Sequence, residues 1–359
     1  MTDPTHGSGP DATGPSHPGR TWTRTTSSTG DRRTSDERSS TGTHPTGTRS
    51  TGTRTATTRR RAPGAGSPVP AHLPGLHVGH GRTRGALTVF PVWTEEAIPA
   101  LDYVTALPRD GRVDELPTGP QVNSLVISNP GPLPLLLMEG SLLEAGWQHR
   151  VLLRDTLVGH DSEFIAEVAC VERGRWQGGA GQELGEETAP VRVRAALREE
   201  HLDQGRVWAE VDGYQSRLAR TPTASLVETV RRRRVDLDQL VGDLPVLPGQ
   251  RGAIIGIGGQ PVVLDLVDHP DTFAARWPAL LRSAALDALD APAEPTPGRR
   301  ARRFAQVIGA LPVVATGTSG IGTTLASPTD AQIQLRGLAA GRVVHATCLN
   351  LRHPIAARA

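Results

Sequence analysis

Residues 135–176 read LLLMEGSLLEAGWQHRVLLRDTLVGHDSEFIAEVACVERGRW, and this stretch decides how the chain is expected to fold. It contains two apolar runs, at residues 135–138 and 164–171, and both these runs and residues 149–153, which begin in the polar cluster Gln148-His149-Arg150, are predicted to be strands. Polar residues and turn formers separate the runs. The stretch therefore predicts consecutive strands of an antiparallel β-sandwich or a small barrel.

The rest of the chain adds strands before this stretch and helices after it. Residues 86–93 and 123–128 predict two further strands, and Pro91 favours an edge position for the first. Apolar residues at helical spacing predict helices at 191–202, 206–218, 224–241 and 271–289. Strand hairpins are expected at 247–266, through Gly258-Gly259, and at 333–350. Residues 291–300 are interpreted as a loop, and 304–314 as a short helix or strand. The predicted class is α+β, with an antiparallel β-sandwich or barrel-like core and helices inserted in the C-terminal half.

The N-terminal residues differ in composition from the rest. Residues 1–80 are rich in Thr, Ser, Gly and Arg, have too few apolar side chains to form a core, and predict a disordered tail. Residues 81–356 are expected to form a single globular α+β domain. Residues 1–75 hold ten Arg against five acidic residues, so the net charge of +2 leaves about −3 for the remainder. Nucleic-acid binding is therefore not expected, except weakly through the basic tail.

Several kinds of site are excluded by spacing. Cys170 and Cys348 are the only cysteines, which predicts buried thiols rather than disulfides or a metal pair. Residues 317–322, GTSGIG, lack the strand–loop–helix context of a phosphate loop and favour a strand with tight bends. No metal site and no cofactor are expected. The chain has no apolar run of membrane-spanning length and no secretory signal, which predicts a soluble, cytoplasmic protein.

Charged side chains gather where the strands of residues 135–176 begin and end, and these are the candidate site residues. If the strands at 135–138 and 149–153 pair, Glu139 would lie near Arg150. Arginine suits phosphate or carboxylate groups, and a buried glutamate with a raised pKa can act as a general base. The alternative is an internal salt-bridge network that holds the strand connections. The proposed catalytic residues are Glu139 and Glu172, and the proposed ligand-binding residues are Gln148, His149, Arg150, Arg173, Arg175 and Trp176.

MEGSLLEAGWQHRV and VACVERGRW resemble the signature of the ARG and rhodanese-phosphatase-superfamily-associated protein domain. QGRVW at 204–208, LDL at 264–266 and WPALLRS at 277–283 support the likeness, which extends over residues 84–352. Trp147 stands where the family pattern has Lys, and His149 where it has Asn. An anion site inferred from the family would then depend on Arg150, Arg173 and Arg175 alone.

The resemblance implies a setting rather than a reaction. The family name refers to a genomic association with ADP-ribosylglycohydrolases, which implies ADP-ribose or NAD-related metabolism. The leading hypothesis is a domain that binds a small anionic, ADP-ribose-like or nucleotide-like ligand and is an accessory to proteins of ADP-ribose metabolism. One alternative is a hydrolase or transferase that acts on a nucleotide-linked ribose, with Glu139 or Glu172 as general acid or base. The other alternative is a non-catalytic protein-interaction module.

Overall fold

The computed structural model describes residues 69–198, 202–218, 220–328 and 332–357. Contacts divide the chain into Met1–Ala62 and Pro63–Ala359, and every described residue belongs to the second unit. Most of the predicted tail, residues 1–68, therefore lies outside the described residues. The last part of that 1–80 range, however, forms a strand, Leu76–Val78, so ordered structure begins before residue 81.

The described residues form strands throughout and helices only after residue 190. The strands are β1 Leu76–Val78, β2 Arg82–Arg84, β3 Leu87–Thr94, β4 Arg112–Asp114, β5 Ser124–Asn129, β6 Leu135–Leu137, β7 Ser141–Ala145, β8 Arg150–Leu152, β9 Thr156–Val158, β10 Ser162–Cys170, β11 Gly181–Thr188, β12 Gly252–Ile257, β13 Gln260–Val267, β14 Val314–Ser319, β15 Gly322–Ala326, β16 Ile333–Ala339 and β17 Val343–Asn350. The helices are α1 Val191–Ala196, α2 Gln204–Arg217, α3 Leu226–Val241, α4 Pro270–Ala288 and α5 Gly298–Gly309. The predicted α+β class is confirmed.

The strands form a barrel, a two-stranded sheet and a large sheet. Six of them close into a barrel in the order β10-β5-β4-β11-β7-β8, and β6 pairs with β9 beside it. The other nine strands form an antiparallel sheet in the order β1-β3-β12-β13-β17-β16-β15-β14, with β2 also paired to β3. The barrel-like core predicted from residues 135–176 is therefore present, and a large second sheet lies next to it in sequence.

The large sheet is covered on both faces because its strands alternate apolar residues between them. Ile255 of β12 packs in a core with α1 to α4, whereas its neighbour Ile254 packs in a separate core with α5. A third cluster fills the barrel, where Leu152, Val168 and their neighbours meet. Burial on both faces is why the central strands β12 and β13 are nearly continuous apolar runs, whereas β2 and β14 at the margins are largely exposed.

Three local predictions need correction. β3 is not an edge strand, because β12 pairs with one side of it and β1 and β2 with the other. Pro91 is tolerated there because it lies where the β2 pairing has ended and the β1 pairing has not begun, and its carbonyl accepts from Gly79 N at 2.9 Å. The predicted loop at 291–300 ends early, since α5 begins at Gly298. The first predicted helix is shorter than expected, because α1 ends at Ala196. The hairpin through Gly258-Gly259 and the bent strands at 317–322 are confirmed.

Candidate functional site

Strand pairing in the barrel decides where the predicted site residues lie. Arg150 on β8 pairs with Cys170 on β10 and with Leu143 on β7. Leu152, two residues after Arg150, belongs to the barrel core, so alternation directs the Arg150 side chain to the barrel interior as well. The Arg150 side chain is completely buried.

Glu172 stands at the centre of a hydrogen-bonded network just after β10. Its Oε2 accepts from Arg175 Nη2 at 2.6 Å, from Arg175 Nε at 3.0 Å and from the His149 backbone N at 2.9 Å. Its Oε1 accepts from the Thr223 hydroxyl at 2.7 Å. Arg175 also donates to the carbonyls of Gly146, Ala145 and Gln177. These bonds join the end of β10, the β7–β8 connection and the segment before α3.

The electrostatics of this network favour an ionised Glu172 and a neutral His149. Burial raises the pKa of Glu172, but the hydrogen bonds from Arg175, Thr223 and the His149 backbone outweigh it and hold the pKa below the usual value. Burial lowers the pKa of the His149 ring, whose Nδ1 lies 2.8 Å from Ser225 Oγ. A carboxylate with a lowered pKa and both oxygens engaged is poorly suited to general acid–base work. The geometry agrees better with the salt-bridge network considered as the alternative.

The end of the barrel where β8 begins and β10 ends lies beside this network and holds several buried polar atoms without hydrogen-bond partners among the described residues. Arg150 Nη1 donates to Gln148 Oε1 at 3.0 Å, and its Nη2 lies 4.0 Å from Glu115 Oε1. Arg150 Nε and Nη2, Glu115 Oε2 and Gln182 Oε1 are buried without a hydrogen-bond partner among the described residues. The Trp176 ring lies 5.6 Å from the Arg150 guanidinium. Burial also lowers the pKa of Arg150.

Trp147 is one of the two residues that differ from the family pattern. Its ring packs edge-on against Trp176 with centroids 5.7 Å apart, a favourable aromatic arrangement. Trp176 nevertheless remains 46% exposed. The position expected to hold a lysine therefore supports an aromatic cover over the end of the barrel.

Glu139 belongs to a different cluster from the other predicted site residues. β6 pairs with β9 rather than with β8, so the pairing that would have brought Glu139 to Arg150 is wrong. Glu139 Oε1 accepts from Arg198 Nε at 2.7 Å, and its backbone N donates to Asp155 Oδ1 at 2.8 Å. Arg194 and Asp265 form a second buried ion pair nearby at 2.6 Å. These groups make a charged, paired core between the barrel and the large sheet.

Arg173 also lies apart from the network. Its side chain is more than half exposed and pairs with Asp212 of α2 at 3.1 Å. The structure thus brings together Gln148, His149, Arg150, Glu172, Arg175 and Trp176, and separates Glu139 and Arg173 from them.

A cleft of about 520 Å³ opens beside Glu172, but each arginine in its lining is already paired with a carboxylate. Arg175 pairs with Glu172, Arg231 with Glu144, and Arg232 with Glu228. Glu183 adds a further negative charge to the lining. An incoming anion would have to compete with these carboxylates for every arginine, so the cleft next to the predicted residues is a weak anion site.

A second cleft, which we call the arginine cleft, has the opposite character. Its volume is about 550 Å³, and it lies between α5 and the ends of β13, β16 and β17. Four arginines line it, namely Arg299, Arg300, Arg303 and Arg352. No Asp or Glu lines it, and none of the four arginines forms an ion pair within the part of the chain that the structure describes. Arg300 Nη1 donates to the Gly259 carbonyl, which fixes one guanidinium in place.

The arginine cleft was missed at the level of sequence, although a signal was present. Residues 298–309, GRRARRFAQVIG, place Ala301, Phe304, Ala305 and Ile308 on one helical face, and all four are buried. The arginines then fall on the opposite face. The loop predicted to end at residue 300 separated Arg299 and Arg300 from the rest of this helical pattern. Arg352 lies some fifty positions later in the sequence, and nothing local indicates that it lies close to α5.

A third cleft adjoins the arginine cleft. Its volume is about 630 Å³, and Gln260, Asn350 and Arg352 line both clefts. Apolar residues form much of its wall, including Ile257, Leu286, Ala291, Pro292, Pro354 and Ile355. We call it the apolar cleft. Asp287 also belongs to the lining, its pKa is raised to about 6, chiefly by burial, and the Tyr214 hydroxyl donates to its carboxyl.

Two absences complete the description of residues 69–198, 202–218, 220–328 and 332–357. Among them, no group of three or more His, Cys, Asp or Glu is arranged to hold a metal ion. None of the helices found there is both long enough and apolar enough to cross a membrane. Cys170 and Cys348 are free and buried, as predicted.

Comparison with known proteins identifies the family. The model of the ARG and Rhodanese-Phosphatase-superfamily-associated Protein domain matches residues 75–349. The chain belongs to this family. The match confirms the resemblance carried by residues 135–176, and its start at residue 75 places β1 inside the family domain. No curated protein and no solved structure matches the chain.

Proposed function

We propose that this family member binds a small phosphorylated ligand of the nucleotide or ADP-ribose class, and that the arginine cleft is its site. The observation that carries the proposal is the lining of that cleft, which contains four arginines and, among the residues that the structure describes, no Asp or Glu. Every arginine of the cleft beside Glu172 is paired, so the two clefts differ in available positive charge. The function remains the one expected from the sequence, but the proposed site is different.

The chemistry of arginine supports a phosphate ligand. Guanidinium groups carry a permanent charge and hydrogen-bond phosphate oxygens in a fork, which makes arginine common where phosphates are bound. Four such groups around one cleft repel each other unless an anion lies between them. A ligand with two phosphates would relieve this repulsion at several arginines at once.

Size and family context support a nucleotide-sized ligand. A volume of about 550 Å³ falls within the range of small-molecule sites. The family name records an association with ARG proteins, and ADP-ribose would be the natural ligand in that setting. An ADP-ribosylglycohydrolase as protein partner is part of the same proposal.

The end of the barrel is a second candidate site for the same ligand. The observation in its favour is the group of four unpartnered polar atoms on Arg150, Glu115 and Gln182. The Trp176 ring lies over the Arg150 guanidinium at 5.6 Å, where it could stack on a ring of the ligand. In this proposal Gln148, His149, Arg150 and Trp176 contact the ligand, whereas Arg175 and Glu172 hold the surrounding segments.

Titration calorimetry of the full chain with ADP-ribose and with pyrophosphate tests the proposal. Arg303→Ala should weaken binding about tenfold or more, since one charge-assisted hydrogen bond contributes roughly 1.5–3 kcal/mol. Arg302→Ala is the matched control, because Arg302 is exposed on the same helix but does not line the cleft. Equal effects of the two substitutions would contradict the arginine cleft as the site.

Turnover separates binding from catalysis in the same experiment. Incubation of the protein with ADP-ribosylated substrates or ADP-ribose, followed by chromatography, should yield no product if the domain is a binding accessory. Product formation would favour the hydrolase or transferase alternative. Product that disappears in Arg303→Ala but persists in Glu172→Gln would place that reaction at the arginine cleft.

A further inference from the structure

The arginine cleft and the apolar cleft are neighbours that share one wall. Gln260, at the start of β13, and Asn350, at the end of β17, line both, as does Arg352 just after β17. Arg352 is exposed at this shared wall. A ligand that extends past Arg352 from the arginine cleft would therefore enter the apolar cleft.

The two clefts offer complementary chemistry. The arginine cleft presents positive charge, whereas Ala291, Pro292 and Pro354 give the other cleft an accessible apolar surface. The wall also includes Ile257, Leu286 and Ile355, which are almost completely buried, so it is part of the packed core and is preformed. Apolar walls with a few polar groups are typical of pockets that hold the body of an organic ligand.

We infer that the apolar cleft takes the nucleoside part of a ligand whose phosphates bind the arginine cleft. This inference rests on the proposed function and names the ligand class as a nucleoside diphosphate or a derivative of one. The base would contact the exposed Pro292 and Pro354 surface. The ribose would lie near the junction, where Gln260 presents an exposed amide that can donate to or accept from a hydroxyl.

The polar groups of the apolar cleft favour a nucleoside over a purely hydrocarbon group. Asp290 and Arg217 form an ion pair at 3.2 Å in its lining, and both side chains are partly exposed. Hydroxyls and ring nitrogens can hydrogen-bond to such groups, whereas an alkyl chain would leave them without partners and partly desolvated. His353 is satisfied internally, since its Nε2 bonds to the Ile257 carbonyl at 3.0 Å and its Nδ1 accepts from Ile355 N. It supports the wall rather than the ligand.

Binding of ADP, pyrophosphate and geranyl diphosphate to the full chain, measured by calorimetry, tests the inference. ADP should bind at least tenfold tighter than pyrophosphate, because only ADP fills the apolar cleft. Ala291→Phe places a ring in the apolar cleft and should abolish this advantage while leaving pyrophosphate affinity unchanged. Pro354→Phe adds the same bulk at an exposed position of that wall and should act alike, which guards against a folding defect in the first variant.

The possible outcomes separate this inference from the proposed function. If pyrophosphate binds but ADP binds no tighter, or if both bulky variants keep the ADP advantage, the inference is overturned and the proposed function stands. If geranyl diphosphate binds more tightly than ADP, the nucleoside assignment is overturned. If neither ADP nor pyrophosphate binds the wild-type protein, the proposed function fails as well.

Discussion

Glu172→Gln distinguishes a structural carboxylate from a catalytic one. The substitution keeps the shape of the side chain but removes the charge that accepts two bonds from Arg175 and one each from Thr223 and the His149 backbone. Loss of one partner of a buried ion pair costs about 3–5 kcal/mol, because the remaining charge stays buried without compensation. Arg175 keeps its three carbonyl partners and some exposure, so we expect the lower limit, about 3 kcal/mol.

The assay is urea unfolding of the full chain, followed by circular dichroism, with a thermal scan beside it. A loss of about 3 kcal/mol in the free energy of unfolding corresponds to a melting temperature lower by roughly 6–12 °C. Glu167→Gln is the matched control, since Glu167 lies on the adjacent strand β10 and pairs with Arg154, but both side chains are more than half exposed. An exposed pair of this kind contributes about 0–1 kcal/mol.

The pH dependence gives a second, independent reading of the same residue. The pKa of Glu172 is lowered from its usual value of 4.5 in the folded protein. Its contribution to stability is therefore fully present above pH 4.5 and is lost as the pH falls through the lower, folded pKa. The difference in stability between wild type and Glu172→Gln should shrink in this acidic window. Wild-type stability in Glu172→Gln at pH 7 would refute the structural role and return Glu172 to the list of catalytic candidates.

Three further predictions concern buried groups and tight turns. The pKa of Asp287 is raised to about 6, so the folded protein holds this proton more tightly than the unfolded chain, and stability should fall as the pH rises from about 4 to about 6. At about 1.4 kcal/mol per pKa unit, the free energy of unfolding should fall by an amount on the order of 3 kcal/mol. Urea titrations between these two pH values should show this fall in the wild type and a smaller one in Asp287→Asn. Gly320→Ala should destabilise the protein much more than Gly341→Ala. Both glycines have positive φ, but only a methyl group added at Gly320 would lie 2.0 Å from the Leu157 carbonyl oxygen. Similar melting temperatures of the two variants would contradict this. Burial raises the pKa of Cys348 to about 12, so alkylation of its thiol by iodoacetamide should require unfolding, and rapid labelling of the native protein would show that the thiol is accessible.

Much of the fold followed from apolar patterning. The runs at 135–138 and 164–171 are strands in the structure, and the helix at 271–289 is α4. The closure of the barrel could not be predicted from apolar patterning. β7 and β11 carry polar residues such as Glu144 and Glu183, which mask the strand pattern. Their conformation is decided by pairing with each other and with β8 and β4, which local sequence does not record.

The site was harder to predict than the fold. The structure brings Gln148, His149, Arg150, Arg175 and Trp176 near Glu172, whereas Arg173 pairs with Asp212. Glu139 joins Arg198 instead, because β6 pairs with β9 rather than with β8, and local sequence does not show which strands pair. The arginine cleft depends on α5, whose start at Gly298 follows a proline-rich segment that reads as a loop, and on Arg352, which only the tertiary fold brings alongside. Ligand sites assembled from distant segments lie beyond what local sequence patterns record.

Crystals soaked in tungstate, a heavy-atom mimic of phosphate, provide the most direct test of the arginine cleft. The anomalous difference map should show tungsten among Arg299, Arg303 and Arg352, and the peak should vanish in crystals of Arg303→Ala. Tungsten bound only beside Arg150 and Trp176 would move the site to the end of the barrel. Its absence from both places would contradict the proposal that this protein binds phosphorylated ligands.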